Sequence, residues 1–248
     1  MGAYGVGTQR VEDELAMLLP EGVEVIRMDA DTTRTKGAHQ HLLERFDAAE
    51  CAVLVGTQMI AKGLDFPEVT LVGVINADTM LKLPDFRAAE RTYDLLEQVA
   101  GRAGRGGRPG EVIVQTYWAT HPAMQAVLTH RREAFLVPEL AERAEASYPP
   151  FSRLANILVW GRSAHAVGDV SAKVAAALRD RVDGLPGWEV LGPADCVKAR
   201  VKDRTRRHVM VKAPIDADLG GVVSECTAGI GHGMGINMAL DIDVYDLM

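Results

Sequence analysis

QVAGRAGR, Gln98 to Arg105, decides how this chain is read, together with GTQMIAKGLDFPEV from Gly56 to Val69. Both stretches put arginine, lysine, glycine and small hydroxyl residues at the ends of predicted strands and helices, where a phosphate can be held. Arg102 and Arg105 lie three apart, separated by Ala103 and Gly104, which carry little bulk. Two such guanidinium groups can point the same way from a helix end, and each offers a bidentate grip on phosphate. The same pattern also suits a helix C-terminus, where arginines offset the dipole and glycines end the helix.

The flanking sequence alternates helix and strand. Thr8 is placed to cap a helix through about Leu19, whose apolar positions Val11, Leu15, Leu18 and Leu19 recur at helical spacing before Pro20 and Gly22 stop it. A strand at Val23 to Met28 leads to Asp29, Asp31, Thr32 and Thr33. A helix from about Lys36 to Ala48 should then bury Leu42, Leu43 and Phe46. Cys51 to Val55 is apolar throughout, as in a strand covered on both faces, and Thr70 to Ile75 repeats the pattern. A helix at Ala88 to Ala100 precedes a strand at Glu111 to Thr116. The first 120 residues therefore read as an α/β layered sheet, in which ligands collect at the carboxyl ends of the strands.

Tyr117 and Trp118 lead into a helical stretch over about His121 to Ala146, expected to break near Pro138. Trp118 suits packing of the lobe against this helix better than stacking on a base. His121, His130 and His165 read as surface or capping residues. Tyr148-Pro149-Pro150-Phe151 forbids helix and marks a junction. Beyond it come a strand Leu154 to Trp160, a helix His165 to Asp183 and a strand Trp188 to Leu191. A basic hairpin Val197 to Lys212, a helix Leu219 to Ala228 and a strand Ile236 to Val244 complete a small α+β sandwich of ferredoxin-like type. The expected domains are residues 1–120, a helical linker and Pro-Pro junction at 121–150, and an α+β domain at 151–248.

Composition limits what the chain can do. It has 248 residues and a formal net charge of -7, so nothing favours general attraction to a polyanion, and any nucleic-acid surface must be local. Cys51, Cys196 and Cys226 fall in no CxxC spacing, which predicts neither a disulfide framework nor a zinc site and fits a reducing cytoplasm. No apolar run reaches the ~20 residues of a membrane span. The local exception to the acidic balance is the hairpin. Between residues 198 and 212, Lys198, Arg200, Lys202, Arg204, Arg206, Arg207 and Lys212 face the single acid Asp203. Lys198, Arg200 and Lys202 alternate along the predicted strand, as residues tracking a phosphate backbone would. A solvated edge strand guarded by charge has the same pattern.

QVAGRAGR resembles motif VI of superfamily-2 helicases, and GTQMIAKGLDFPEVTLV resembles their motif V. With LPDFRAAERTYDLL at Leu83 to Leu96 and YPPFSRLA at Tyr148 to Ala155, the chain is identified as a member of the PriA family of replication-restart helicases (primosomal protein N'). The resemblance implies a RecA-like second helicase lobe, with a parallel sheet between helices, followed by a C-terminal domain that helps bind branched DNA. It implies Arg105 as an arginine finger and Arg102 as its neighbour at the phosphates of ATP, with Gln98 coupling nucleotide to DNA. Gly63 and Asp65 would approach the nucleotide, while Thr57, Gln58 and Lys62 would face the DNA backbone.

No GxxxxGK[ST] phosphate loop occurs in the sequence, and Asp29 and Asp31 sit in the motif IV region rather than in a recognisable magnesium site. The chain is therefore expected to be a C-terminal piece of a larger protein and not to hydrolyse ATP alone. In the family, ATP and Mg²⁺ are bound with an earlier lobe, and zinc by an upstream cysteine-rich module. The implied activity is ATP-driven 3'-5' unwinding and the start of primosome assembly at forked DNA. The implied partners are branched DNA, single-stranded DNA-binding protein and other restart proteins. The alternative is a non-catalytic module that binds fork DNA and proteins.

Overall fold

The computed structural model describes residues 7–35, 37–57, 60, 66–101, 109–231, 235–245 and 247. The chain divides into two compact units, one of residues 1–82 and 89–134 and the other of residues 83–88 and 135–248. Among the described residues no helix is long and apolar enough to cross a membrane.

In the first unit, α1 (Thr8–Leu18) leads to β1 (Glu24–Met28), α2 (Ala38–Ala48) and β2 (Ala52–Gly56). β1 and β2 pair in parallel from Glu24 opposite Ala52 to Met28 opposite Gly56. Ile26 and Met28 are buried on one side of β1, as period-2 alternation requires. β3 (Leu71–Val74) and β4 (Glu111–Val114) form a second parallel pair, with the one-turn α3 (Asp78–Leu81) and then α4 (Ala88–Ala100) between them in sequence. The helix–strand alternation and parallel pairing expected of an α/β lobe are present.

Local details depart from the sequence reading. Gly7, not Thr8, is the N-cap of α1, because the Thr8 hydroxyl is already used, donating to Asp29 Oδ2 at 2.6 Å. Leu42, Leu43 and Phe46 are half-buried, and α2 has no fully buried residue. β3 and β4 are not covered on both faces: Leu71 is 57% and Ile113 54% exposed, so their apolar runs alternate between a sheltered and an open side. The helical stretch after Trp118 breaks at His130, not at Pro138. α5 (Pro122–Thr129) ends there because His130 adopts a left-handed conformation (φ 53°), and its N–H and that of Arg131 turn back to Ala126 O. Pro138 lies inside α6 (Arg132–Glu145), one hydrogen bond short of a regular helix.

The second unit is built on a four-stranded antiparallel sheet in the order β6-β7-β5-β8. Its strands are β5 (Arg153–Gly161), β6 (Glu189–Val201), β7 (Arg204–Ala213) and β8 (Ile236–Ile242), with α7 (Ala164–Val182) after β5 and α8 (Leu219–Thr227) after β7. This βαββαβ order, with the first and third strands adjacent at the centre, is the ferredoxin-like arrangement. Ser163 and Asp218 cap the two helices by accepting from Ala166 N at 3.2 Å and Gly221 N at 2.9 Å.

Both helices pack on one face of the sheet. That face buries Ala155, Ile157 and Val159 of β5 and Val209, Val211 and Ala213 of β7 against Val167, Val170, Val174 and Leu178 of α7, all 0% exposed. The intervening residues, including Leu154, Leu158 and Trp160 of β5 and Arg204, Arg206, His208, Met210 and Lys212 of β7, take the other face. Here the sequence reading split one element into two. The strand expected at Trp188 to Leu191 and the first arm of the hairpin are a single 13-residue strand, β6, kept continuous by register shifts at Leu191/Ala194 and Asp195/Arg200. The hairpin closes on the two-residue turn Lys202-Asp203, both at positive φ (46° and 62°). Lys202 therefore sits in the turn and does not continue the strand alternation of Lys198 and Arg200.

Candidate nucleic-acid interface

In the first unit, the carboxyl ends of β1 and β2 lie side by side. Asp29, just past β1, is held by its own loop: its carboxylate accepts from Thr8 Oγ1 at 2.6 Å and from the backbone N–H groups of Asp31 (2.9 Å) and Thr32 (3.0 Å). The Thr8 and Thr32 hydrogen bonds, aided by Arg27, hold the Asp29 carboxyl below its ordinary pKa. Asp31 is exposed and pairs with Arg34 at 2.6 Å. At β2, a side chain on Gly56 would come within 2.5 Å of the Met28 carbonyl oxygen, so only glycine lets the two strand ends approach this closely. Thr57 follows directly and is exposed, as is Gln98 near the end of α4. Gln58, Lys62, Gly63, Asp65, Arg102 and Arg105 lie outside the described residues.

The ends of β3 and β4 are joined by Asp78, fully buried at the start of α3, which accepts from Thr116 Oγ1 at 2.5 Å and from Tyr117 N at 2.8 Å. Burial pushes the Asp78 carboxyl up, but these hydrogen bonds outweigh it and the net pKa lies below the ordinary value. This anchor presents Tyr117 and Trp118 outward, 86% and 44% exposed, with the Lys82 ammonium 5.6 Å from the Trp118 ring centre. Trp118 thus leaves a large part of its ring at the surface, more than a residue used only for packing would.

The basic hairpin of the second unit sorts its seven cations by what they already touch. Lys212 is buried: its Nζ donates to Ala146 O at 2.9 Å, pairs with Glu189 at 3.0 Å and sits 4.2 Å from the Tyr148 ring centre. Arg207 lies on the helix-bearing face and pairs with Asp195 at 2.9 Å. Arg200 pairs loosely with Asp203 at 3.3 Å in full solvent. Lys198, Lys202, Arg204 and Arg206 form no ion pair with a described residue. Arg204 and Arg206 share the outer sheet face, and Lys198 and Lys202 are exposed on the β6 arm and the turn. Four such cations at one hairpin can bind phosphates without reading sequence.

Family models match the chain in two consecutive segments. Residues 6–107 match the helicase conserved C-terminal domain and residues 144–245 the primosomal protein N C-terminal domain. The chain belongs to the PriA family. It is 46% identical over 222 residues to the replication restart protein PriA of Bacillus subtilis, covering 90% of this chain and 27% of that protein. The PriA of a Synechocystis species is 44% identical over 212 residues, covering 85% of this chain and 25% of its own length. That of Haemophilus influenzae is 33% identical over 244 residues, covering 98% and 33% respectively. The chain thus spans about a quarter to a third of the length of these PriA relatives.

The PriA-type motif V begins at the close β1/β2 junction fixed by Gly56, and Gln98 of motif VI stands exposed at the end of α4. The sequence reading missed the outer face of the second sheet. Trp160, directly across from Arg206 in the β5–β7 register, and Arg162, just beyond the strand, both lie beside the hairpin. The signal was present in the alternation of Ile157, Val159 and Gly161 with Leu158, Trp160 and Arg162, which puts a tryptophan and an arginine on the side away from the core.

His208 lies on the same outer face. Burial, reinforced by the nearby Arg206, lowers its pKa below the usual histidine value. The folded state therefore binds this proton less readily than the unfolded chain, and stability is lost as pH falls through about 6.5 and below. Urea midpoints at pH 7.5, 6 and 5 should fall with pH for the native chain and fall less for His208→Gln. Equal pH dependence in the two would contradict a half-buried His208 whose proton is disfavoured in the folded state.

Proposed function

We propose that this chain is the DNA-engaging part of a PriA-type replication-restart protein. It binds forked DNA and, joined to a lobe that carries a phosphate loop, unwinds DNA with ATP and begins primosome assembly. The observation that carries the DNA-binding part is the set of cations Lys198, Lys202, Arg204 and Arg206, which form no ion pair with a described residue, at the β6–β7 hairpin of a chain whose net charge is -7. Electrostatic binding confined to such a hairpin gives a local, sequence-independent footprint. Arg200 joins it once a phosphate displaces Asp203, an exposed pair of little strength. Thr57, Gln58 and Lys62 extend the DNA contacts to the helicase lobe.

ATP is the substrate of the completed protein. Arg105 and Arg102 stabilise the charge that develops on the transferred phosphoryl group, Gly63 and Asp65 approach the nucleotide, and Gln98 couples it to DNA. The exposure of Thr57 and Gln98 is compatible with both roles. Single-stranded DNA-binding protein and other restart proteins are the expected partners. The second reading is a non-catalytic fork-binding module that keeps the helicase motifs as scaffold.

Two experiments test these roles. Replacing Arg204, Arg206 and Arg207 by glutamine should weaken fork binding and reduce the slope of log affinity against log salt by about 2, since Arg207 is already paired with Asp195. An unchanged slope would assign the hairpin to edge protection. In a full-length PriA-type protein, Arg105→Ala should reduce DNA-stimulated ATP hydrolysis by about 10³-fold or more while leaving fork affinity within about threefold. Unchanged hydrolysis would remove the motor role of Arg105 and favour the non-catalytic module.

A further inference from the structure

The outer face of the second sheet is covered at one end and open at the other. At the covered end, Leu154 of β5 and Met210 of β7 pack with Val244, Leu247, Phe86 and Tyr148. At the open end lies a shallow depression of about 550 Å³, whose lining includes Leu158, Trp160, Arg162, Lys202, Arg204 and Arg206. A second, smaller depression of about 310 Å³ shares Arg162 and Arg204 and continues past Gly161 to Asn237 at the start of β8. Together they make a shallow track that crosses the sheet from the hairpin turn to its opposite edge.

An indole on the open side of a sheet contributes nothing to the core across the strand, where Val159 and Ile157 are 0% exposed. Trp160 is half-buried on the central strand β5, opposite Arg206 on one side and Asn237 on the other. The surrounding charge has one sign. Arg162, Lys202, Arg204 and Arg206 form no ion pair with a described residue, and the one acid in the lining, Asp203, is paired with Arg200. The occupant must therefore combine spaced negative charges with a flat aromatic group. Duplex DNA supplies the phosphates, but its bases are stacked on one another and cannot reach an indole on a flat sheet. An unpaired strand supplies both.

We propose that the open end of this sheet face is a single-strand subsite, with one unpaired base stacked on Trp160 and the flanking phosphates held by Arg162, Arg204 and Arg206. It rests on the fork-binding function proposed above and specifies which part of the fork this face takes: the exposed single strand beside the junction. The duplex arm falls to the hairpin edge around Lys198 and Arg200.

The test compares the affinity of the 248-residue chain for oligo(dT), for an abasic strand of the same length, and for forked DNA. The native chain should prefer oligo(dT) to the abasic strand by about tenfold, the scale of one stacked base. Trp160→Ala should bring that ratio close to one, and Trp160→Phe should retain most of it, with melting curves of both variants confirming the fold. A ratio unchanged by Trp160→Ala, with forked DNA still bound, would overturn the subsite and leave the fork-binding function standing. Failure of the native chain to bind either forked DNA or oligo(dT) would overturn both. Loss of affinity for an acidic aromatic-bearing peptide in Trp160→Ala, with the oligo(dT) ratio intact, would assign the face to a protein partner and also overturn the subsite.

Discussion

A β-strand cannot place adjacent residues on the same side of its sheet, and the second unit depends on how β5 and β7 use that constraint. Ile157, Val159, Val209 and Val211 go to one face and are sealed by α7 and α8. Leu158, Trp160, Arg204 and Arg206 are thereby committed to the other. The apolar core fixes the register, and the register fixes which cations stand around Trp160. A slip of one residue would bury arginines and expose valines, so packing holds the outer face in place at no separate cost.

The same alternation sorts the charges. Arg206 and Arg207 are neighbours in sequence but lie on opposite faces, and only Arg207 finds a carboxylate, Asp195. Lys212, on the outer face but at its covered end, is drawn into contacts with Ala146, Glu189 and Tyr148, so its charge serves structure. A count of cations along the hairpin therefore overstates the proposed binding surface, which comprises the outer-face subset with Lys198 and Lys202. In the helicase lobe, packing acts at the other end of the strands. The close approach of Gly56 to Met28 and the buried Asp78 anchor bring strand ends together, and motif V and the Tyr117–Trp118 pair begin at those ends.

Much of this was legible in the sequence. The helix Ala88–Ala100 has the bounds expected of it, and the ferredoxin-like class of the second unit was expected, though with one strand too many. What escaped depended on contacts between distant residues. Thr8 looked like a helix cap because the sequence does not show Asp29 beside it, 21 residues away. Pro138 looked like a break, but the left-handed turn at His130 ended the helix first. β6 was read as two strands, one ending at Leu191 and the next beginning at Val197, whereas pairing with β7 carries a single strand through two register shifts. Trp160 was assigned to a strand without its face being noted, so the outer surface was seen only as a basic hairpin.

Covalent side-chain footprinting with and without forked DNA tests the outer-face assignment most directly, because Trp160 and Trp188 report from different environments in one unit, Trp188 packing against the helix-side core. If the outer face and hairpin hold the fork, oxidation of Trp160 falls on DNA binding while that of Trp188 is unchanged. Bound DNA that leaves Trp160 as reactive as in the free chain would contradict it.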